Sequence, residues 1–370
     1  MGNKKLFSVV VAAGGTGGHI FPAVAVVEQL EVLTQQNINV TFMGSTNRME
    51  SELIPAMGYR FVGMRIKGLS RIFSVDTLLL PFRVLFSVVK AYVTIKRNKS
   101  QVVMCTGAYI SFPVGLAAWL SGVPLVVLES NVNPGKSNRK LASKASAVVL
   151  AFEEGKKYFP KSLQKRLVVL GNPIRKEVIG GLDQREARKI LGLKEDAKTL
   201  FVFGGSLGAK TINTAVENFI HSNSNIQVLW QTGKKYEPQS PLPEGVKCVR
   251  FIENMGVAYA ACDLVLCRSG ATTVAELGLL GKAAILVPMP NSATNEQYHN
   301  AMHAQETGGA VMVADNEIIK QMKSVVLDIL GNEHKIEQMS VAMKKLGKPR
   351  AAEEAAQLVL DIGGWVNNGN

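Results

Sequence analysis

The chain predicts an α/β protein of two doubly wound domains, and three observations carry that prediction. Short apolar runs rich in Val, Ile and Leu alternate with helix-like patterns along nearly the whole length. Two glycine-rich turns, Gly14-Gly15-Thr16-Gly17-Gly18-His19 and Gly204-Gly205-Ser206-Leu207-Gly208-Ala209, each follow such a run and precede a helical pattern. The length of 370 residues exceeds what a single hydrophobic core spans. Paired turns half a chain apart point to a cleft between two nucleotide-binding folds.

In chain order, strands are expected at Val9 to Val11, Val40 to Met43, Val102 to Cys105, Leu125 to Leu128, Ala147 to Leu150 and Val168 to Leu170. Continuous rather than alternating apolarity marks strands covered on both faces, hence parallel sheets joined by crossover helices. Gly171-Asn172-Pro173 then stops the last strand and makes a hinge, giving domains 1–172 and 173–350. The pattern resumes with Leu200 to Phe203, Gln227 to Trp230, Val246 to Phe251, Leu264 to Cys267, Ala284 to Val287 and Ala310 to Val313. Beyond Ile318 the chain is helical except at Gly347-Lys348-Pro349. The last helix, Ala351 to Ile362 within 351–370, is expected to cross back and pack on the first domain.

Lys and Arg number 42 against 29 Asp and Glu, so an acidic partner is expected: nucleic acid, anionic lipid or a phosphorylated substrate. The excess is local. Nine basic residues (Arg60, Arg65, Lys67, Arg71, Arg83, Lys90, Lys96, Arg97, Lys99) stand between positions 60 and 99 with one acid, Asp76. The absence of interleaved aromatic and basic residues argues against nucleic acid. Cys105, Cys248, Cys262 and Cys267 lack Cys-x-x-Cys spacing and sit in apolar contexts, as buried thiols of a reducing compartment do. Lys4-Lys5 and the apolar run after them imitate a signal peptide but lead into the glycine turn as a first strand does. The long uncharged stretch Tyr109 to Leu128 is cut by Pro113, Gly115, Ser121, Gly122 and Pro124 into helix, turn and strand. A cytoplasmic protein is expected.

Glycines let a backbone bend tightly and approach a ligand, and the first amides of the following helix attract an anion. A dinucleotide site needs G-x-G-x-x-G and an acid at the end of the next strand. Here those strands end Phe42-Met43-Gly44-Ser45 and Trp230-Gln231-Thr232, which demotes NAD. No Gly-Lys-Ser/Thr closes either turn, which excludes a P-loop. A third anion site is expected where Arg268-Ser269-Gly270-Ala271-Thr272-Thr273-Val274-Ala275-Glu276 follows a strand and opens a helix. Glu276 is placed to accept hydrogen bonds from vicinal hydroxyls, or simply to complement the helix dipole. The amide-rich loop Asn291 to His299 suits a sugar.

Six motifs, in order, resemble those of the MurG family of bacterial glycosyltransferases. They are Gly14 to His19, Gly171-Asn172-Pro173-Ile174-Arg175, Gly204 to Ala209, Phe251-Ile252, Arg268 to Glu276 and Gln297-Tyr298-x-Asn300-Ala301. The resemblance covers essentially the whole chain. It implies a GT-B fold, two Rossmann-like domains facing a cleft, the first for the acceptor and membrane and the second for the UDP-sugar. The implied activity is inverting transfer of N-acetylglucosamine from UDP-GlcNAc to undecaprenyl-diphospho-muramoyl-pentapeptide (lipid I), giving lipid II. Thr16, Gly17 and Gly18 would approach the donor diphosphate and sugar, Asn131 the donor, Arg175 and Ser206 the phosphates, and Ile252 the uracil through its backbone. Ala271, Thr272, Thr273, Val274, Ala275 and Glu276 would form the diphosphate helix start, with Glu276 on the ribose, and Gln297 would bind the sugar. Departures from the family pattern are Glu296 for a glutamine, Ala108 for a glycine, Ser111-Phe112-Pro113-Val114 for a glycine-rich turn, and Ser130 for a glutamine.

Displacement at the anomeric carbon needs a base near the acceptor hydroxyl and positive potential near the leaving phosphate. His19 is the first candidate base, since imidazoles exchange protons near neutral pH, and Glu129 the second. Lys210 and Arg268 are expected to serve mainly in salt bridges. No Asp-x-Asp stands at a strand end, so neither metal nor cofactor is expected. The apolar residues Leu78, Leu79, Leu80, Phe82, Val84, Leu85, Phe86, Val88 and Val89, with Trp119 and a basic rim, predict peripheral binding to the cytoplasmic face of the plasma membrane. An amphipathic helix would bury about half of them. Cell-wall synthesis and division proteins are further expected partners. The alternatives are another GT-B lipid glycosyltransferase, a UDP-GlcNAc 2-epimerase, or a non-catalytic sugar-nucleotide-binding protein.

Overall fold

Strand β1 (Phe7–Ala12) is buried on both faces, and the reason is its place in the middle of a seven-stranded sheet. The computed structural model describes residues 6–66, 80–222, 225–290 and 295–366. It divides into two compact units, Met1–Arg175 with Arg350–Asn370, and Lys176–Pro349.

In the first unit β1 is followed by α1 (Gly17–Leu33), β2 (Ile38–Ser45), α2 (Glu50–Ala56), β3 (Arg60–Met64), α3 (Leu80–Arg97), β4 (Val102–Cys105), α4 (Ala108–Leu120), β5 (Leu125–Glu129), α5 (Lys136–Ala142), β6 (Ala147–Leu150) and β7 (Leu167–Val169). The sheet order is β3-β2-β1-β4-β5-β6-β7, and every pairing is parallel. Consecutive elements run outward from β1 to β3 and then restart at β4 on the other side of β1. The carboxyl ends of β1 and β4 therefore form a topological switch point, where open α/β sheets bind ligands. Strand β3 escapes the periodicity because it is a half-buried edge strand, Arg-Phe-Val-Gly-Met, without a continuous apolar run.

The second unit carries α6 (Gln184–Ile190), β8 (Thr199–Phe203), α7 (Lys210–His221), β9 (Gln227–Gln231), β10 (Val246–Val249), α8 (Met255–Ala261), β11 (Leu264–Cys267), α9 (Ala271–Leu280), β12 (Ala284–Leu286), α10 (Glu296–Glu306), β13 (Ala310–Met312), α11 (Ile318–Leu330) and α12 (Glu333–Lys344). Its parallel sheet, β10-β9-β8-β11-β12-β13, places a second switch point between β8 and β11. Strand β10 stops at Val249 rather than continuing to Phe251, whose side chain is exposed. The helical tail breaks at Asn332, whose side chain accepts a hydrogen bond from the Lys335 amide and starts a new helix.

Helix α13 (Ala351–Ile362) packs on α1 and places Ala355, Ala356, Val359 and Leu360 in one core with Phe7, Val9 and Val11. Trp365 meets the Phe7 ring edge-on at 5.7 Å. All four cysteines are free thiols, three of them fully buried, and burial pushes Cys105 up to about 12 and Cys262 up to about 11.

Candidate functional site

The first glycine turn is built around a buried carboxylate that no motif announces. Glu50, fully buried at the start of α2, accepts the Ser45 amide at 2.9 Å on Oε1 and the Gly15 amide at 3.1 Å on Oε2. A Cβ on Gly14 would stand 2.4 Å from Oε1, so a side chain there would have to displace the Glu50 carboxylate. The Gly15 amide is thus committed inside the protein. Thr16, Gly17 and Gly18 follow at the head of α1, which no Thr16 side-chain bond caps.

His19 lies in the first turn of α1, half-buried. Its Nδ1 is 2.9 Å from the Thr106 carbonyl, just beyond β4, so it spans the β1/β4 switch point. A carbonyl oxygen only accepts, hence Nδ1 is the donor, and in the neutral imidazole Nε2 is the accepting nitrogen. Gly107, at φ +113°, gives the imidazole room, since a Cβ there would lie 2.7 Å from Nδ1.

Glu129, buried at the end of β5, accepts four hydrogen bonds. Oε1 takes the Asn131 amide at 2.9 Å and Asn131 Nδ2 at 3.1 Å; Oε2 takes the Gly135 amide and Asn138 Nδ2, each at 2.9 Å. The carboxylate folds the segment 130–138 around itself and fixes Asn131. Ser130 donates to Asn172 Oδ1 at 2.9 Å, tying that segment to the hinge motif. Arg175 belongs to this unit, its guanidinium 3.8 Å above the Phe21 ring of α1.

In the second unit the Gly204–Ala209 turn follows β8 and carries Ser206, half-buried. Gly208, at φ +78°, leaves no space for a side chain, because a Cβ would meet the Thr232 carbonyl oxygen at 2.1 Å. Gln231, buried at the end of β9, joins this turn to the next segment. Its Nε2 donates to the Gly205 carbonyl at 3.2 Å, and its Oε1 accepts the Ile252 amide at 2.8 Å. Helix α9 starts behind Gly270 with Ala271, Thr272, Thr273, Val274, Ala275 and Glu276 in its first turns and no side-chain cap from Gly270. Glu276 is nearly buried and accepts the Tyr259 hydroxyl at 2.8 Å.

Arg268 spends its charge internally. It pairs with Asp315 at 2.6 Å, mostly out of solvent, and donates to the Val287 and Pro288 carbonyls at 3.2 and 3.0 Å. The pair links the end of β11 to the segment after β13, and the two carbonyl bonds link it to the end of β12. Gln297, in the first turn of α10, accepts the Met289 amide at 2.9 Å, while its carbonyl accepts the Ser269 hydroxyl at 2.8 Å. Of the expected sugar loop, residues 291–294 lie outside the described residues.

Helix α3 turns Val88, Ala91 and Ile95 into the core and leaves Phe82, Leu85, Phe86 and Val89 exposed at 70%, 62%, 72% and 52%. It packs along α4, whose Trp119 is also exposed, with Lys144 4.7 Å over its ring. Leu78, Leu79, Lys67, Arg71 and Asp76 lie outside the described residues, as do residues 367–370 of the expected C-terminal segment. Among the described residues no helix is long and apolar enough to cross a membrane, and no cluster of three or more His, Cys, Asp or Glu is placed to hold a metal ion.

Glu50, Thr106, Gln231 and Tyr259 carry no motif signal, because each acts through a partner far along the chain. Residues 9–150 match the glycosyltransferase family 28 N-terminal domain and residues 199–355 the family 28 C-terminal domain. The chain is 39% identical to a UDP-N-acetylglucosamine--N-acetylmuramyl-(pentapeptide) pyrophosphoryl-undecaprenol N-acetylglucosamine transferase of Prosthecochloris aestuarii, over 94% of this chain and 97% of that one. It is 35% identical to the transferase of that name from Cytophaga hutchinsonii, over 98% of both. Among solved structures, MurG of Acinetobacter baumannii superposes with a TM-score of 0.73 at 26% identity, covering 96% of this chain and 99% of that one. A UDP-GlcNAc 2-epimerase from Neisseria meningitidis has a TM-score of 0.70 at 14% identity, over 96% of this chain and all of that one, a likeness of fold alone.

Proposed function

The chain belongs to the MurG branch of glycosyltransferase family 28, and from that membership we infer its reaction. It is a glycosyltransferase of GT-B fold that moves N-acetylglucosamine from UDP-GlcNAc to undecaprenyl-diphospho-muramoyl-pentapeptide, lipid I, and so makes lipid II for peptidoglycan. Likeness over nearly the whole length to transferases of that name carries this conclusion.

In the mechanism we assign, an acceptor sugar hydroxyl attacks the anomeric carbon as the bond to the β-phosphate oxygen breaks. Configuration inverts, UDP leaves, and the hydroxyl proton passes to a base. The observation favouring His19 as that base is its tautomer, since Thr106 holds the proton on Nδ1 and leaves Nε2 to accept. Glu129 was the other candidate. With four donors on its two oxygens, it better suits the role of holding Asn131, the proposed donor contact.

We assign the acceptor and the membrane to the first unit, and the nucleotide to the second. Within the second unit Ser206 and the start of α9 would stabilise the diphosphate as negative charge builds on it, and Arg175, in the first unit, is proposed as a further phosphate ligand. Gln231 already takes the Ile252 amide, which assigns uracil recognition to the Ile252 carbonyl. Glu276 would take the ribose hydroxyls, and Gln297 the sugar. Neither a metal nor a cofactor enters this scheme.

The exposed apolar row of α3, with Lys90, Arg97 and Lys99, supports peripheral attachment to an anionic cytoplasmic leaflet, where lipid I would be met. Division and cell-wall proteins are proposed as partners there. Incubation with UDP-[14C]GlcNAc and a lipid I analogue tests the reaction. A labelled disaccharide-lipid is expected; a free epimerised sugar, or no labelled product, overturns it.

A further inference from the structure

We propose that Tyr259 is a positioning residue that fixes the Glu276 carboxylate and thereby sets the preference for a ribonucleotide donor. The inference rests on the reading of Glu276 as the ribose ligand. Tyr259, on α8, is 0% exposed, and its hydroxyl donates to Glu276 Oε2 at 2.8 Å. The phenol cannot drift, because its ring meets Phe201 and Phe203 edge-on at centroid separations of 5.7 and 6.2 Å, both at 73°. Those two rings stand on β8, the strand that runs into the Gly204–Ala209 turn. One aromatic cluster therefore registers the carboxylate of α9 against the strand that carries the proposed phosphate turn.

The chemistry requires such a device. The terminal torsion of a glutamate is broad, so an unassisted carboxylate samples many orientations. Binding two vicinal hydroxyls demands one of them. A carboxylate offers about four acceptor positions, so accepting from Tyr259 at Oε2 does not by itself exhaust them. Burial and the neighbouring Glu276 push the phenol well above its ordinary ionisation range, so it remains a donor throughout the working pH range. A phenylalanine would pack equally well in this cluster. The hydroxyl is therefore the informative atom.

The test compares wild type, Tyr259→Phe, Glu276→Gln and the double variant. Competition with UDP, 2′-deoxy-UDP and 3′-deoxy-UDP is measured alongside KM and kcat for UDP-GlcNAc. Expected for Tyr259→Phe is a rise in KM of about 10-fold, the scale of one hydrogen bond to a charged group, with kcat within about 2-fold. Its preference for UDP over the deoxy analogues should fall by the same factor, while the melting temperature holds. The double variant should be no worse than Glu276→Gln, since the tyrosine acts through the glutamate. Wild-type discrimination in Tyr259→Phe, or a double variant that loses both effects additively, overturns the proposal. Undiminished discrimination in Glu276→Gln overturns the ribose reading itself.

Discussion

Thr106 grips His19 at two points: its carbonyl accepts from Nδ1 at 2.9 Å, and its hydroxyl donates to the His19 backbone carbonyl at 2.7 Å. One residue at the end of β4 thereby sets both the tautomer and the position of the imidazole across the first switch point. Orientation by a second group is the usual requirement of a histidine base.

Replacing His19 by alanine should lower kcat by about 10² to 10⁴, the span of general-base contributions, while UDP affinity stays near wild type. Steady-state kinetics with calorimetric UDP binding read the two separately. Near-normal turnover would remove His19 from the mechanism.

Gly107→Ala tests the geometry around that imidazole. The added methyl would sit 2.7 Å from Nδ1 in a backbone conformation of φ +113°. Turnover should drop at unchanged KM for UDP-GlcNAc, with about 1 to 3 kcal/mol of stability lost to strain. An alanine variant as active and as stable as wild type would contradict the packing described.

Glu50→Gln keeps the shape but presents only one accepting oxygen to the Ser45 and Gly15 amides. One buried amide is left without its acceptor, at a cost of about 1 to 3 kcal/mol. Urea melts should show a lower midpoint and weakened substrate binding at the first turn. An unshifted midpoint would mean that the carboxylate holds nothing.

The buried thiols predict both reactivity and a pH trend. Cys105, Cys262 and Cys267 should resist DTNB at pH 8 in the native protein and all react in guanidinium. Their ionisation is raised in the folded state, so the unfolded chain loses these protons first, from about pH 8.5. The stability they contribute is therefore complete below that pH and falls as pH rises through the folded values of about 11 and 12. Urea midpoints at pH 7.5 and 10 measure it, and equal midpoints would refute the assignment.

Membrane docking predicts that wild type floats with phosphatidylglycerol vesicles and is released by salt. The pair Phe82→Ser and Phe86→Ser removes two exposed rings, each worth about 2 kcal/mol when buried, so binding should weaken by up to about 1,000-fold. Activity on a water-soluble acceptor should be retained. Flotation equal to wild type would place the contact elsewhere.

Periodicity made twelve strands legible, Leu200 to Phe203 and Leu264 to Cys267 among them, because a buried parallel strand is apolar on both faces. Edge strand β3 left no such trace. The glycine turns were equally plain, since a backbone at φ +78° where an added Cβ would fall 2.1 Å from the Thr232 carbonyl oxygen admits little else. Arg268 could be seen as a charge beside a turn, yet its buried pairing with Asp315 could not.

What the sequence by itself determined was the number of domains, the order of elements, the two glycine-rich turns and the family, all properties of neighbouring residues. Tertiary structure alone decided that Glu50 holds the Gly15 amide, that Thr106 fixes His19 and that Tyr259 holds Glu276. These partners are 35, 87 and 17 positions apart. The physical reason is that local patterning reports which side of an element is buried, whereas a hydrogen bond's partner is chosen by the crossovers that bring distant strand ends together.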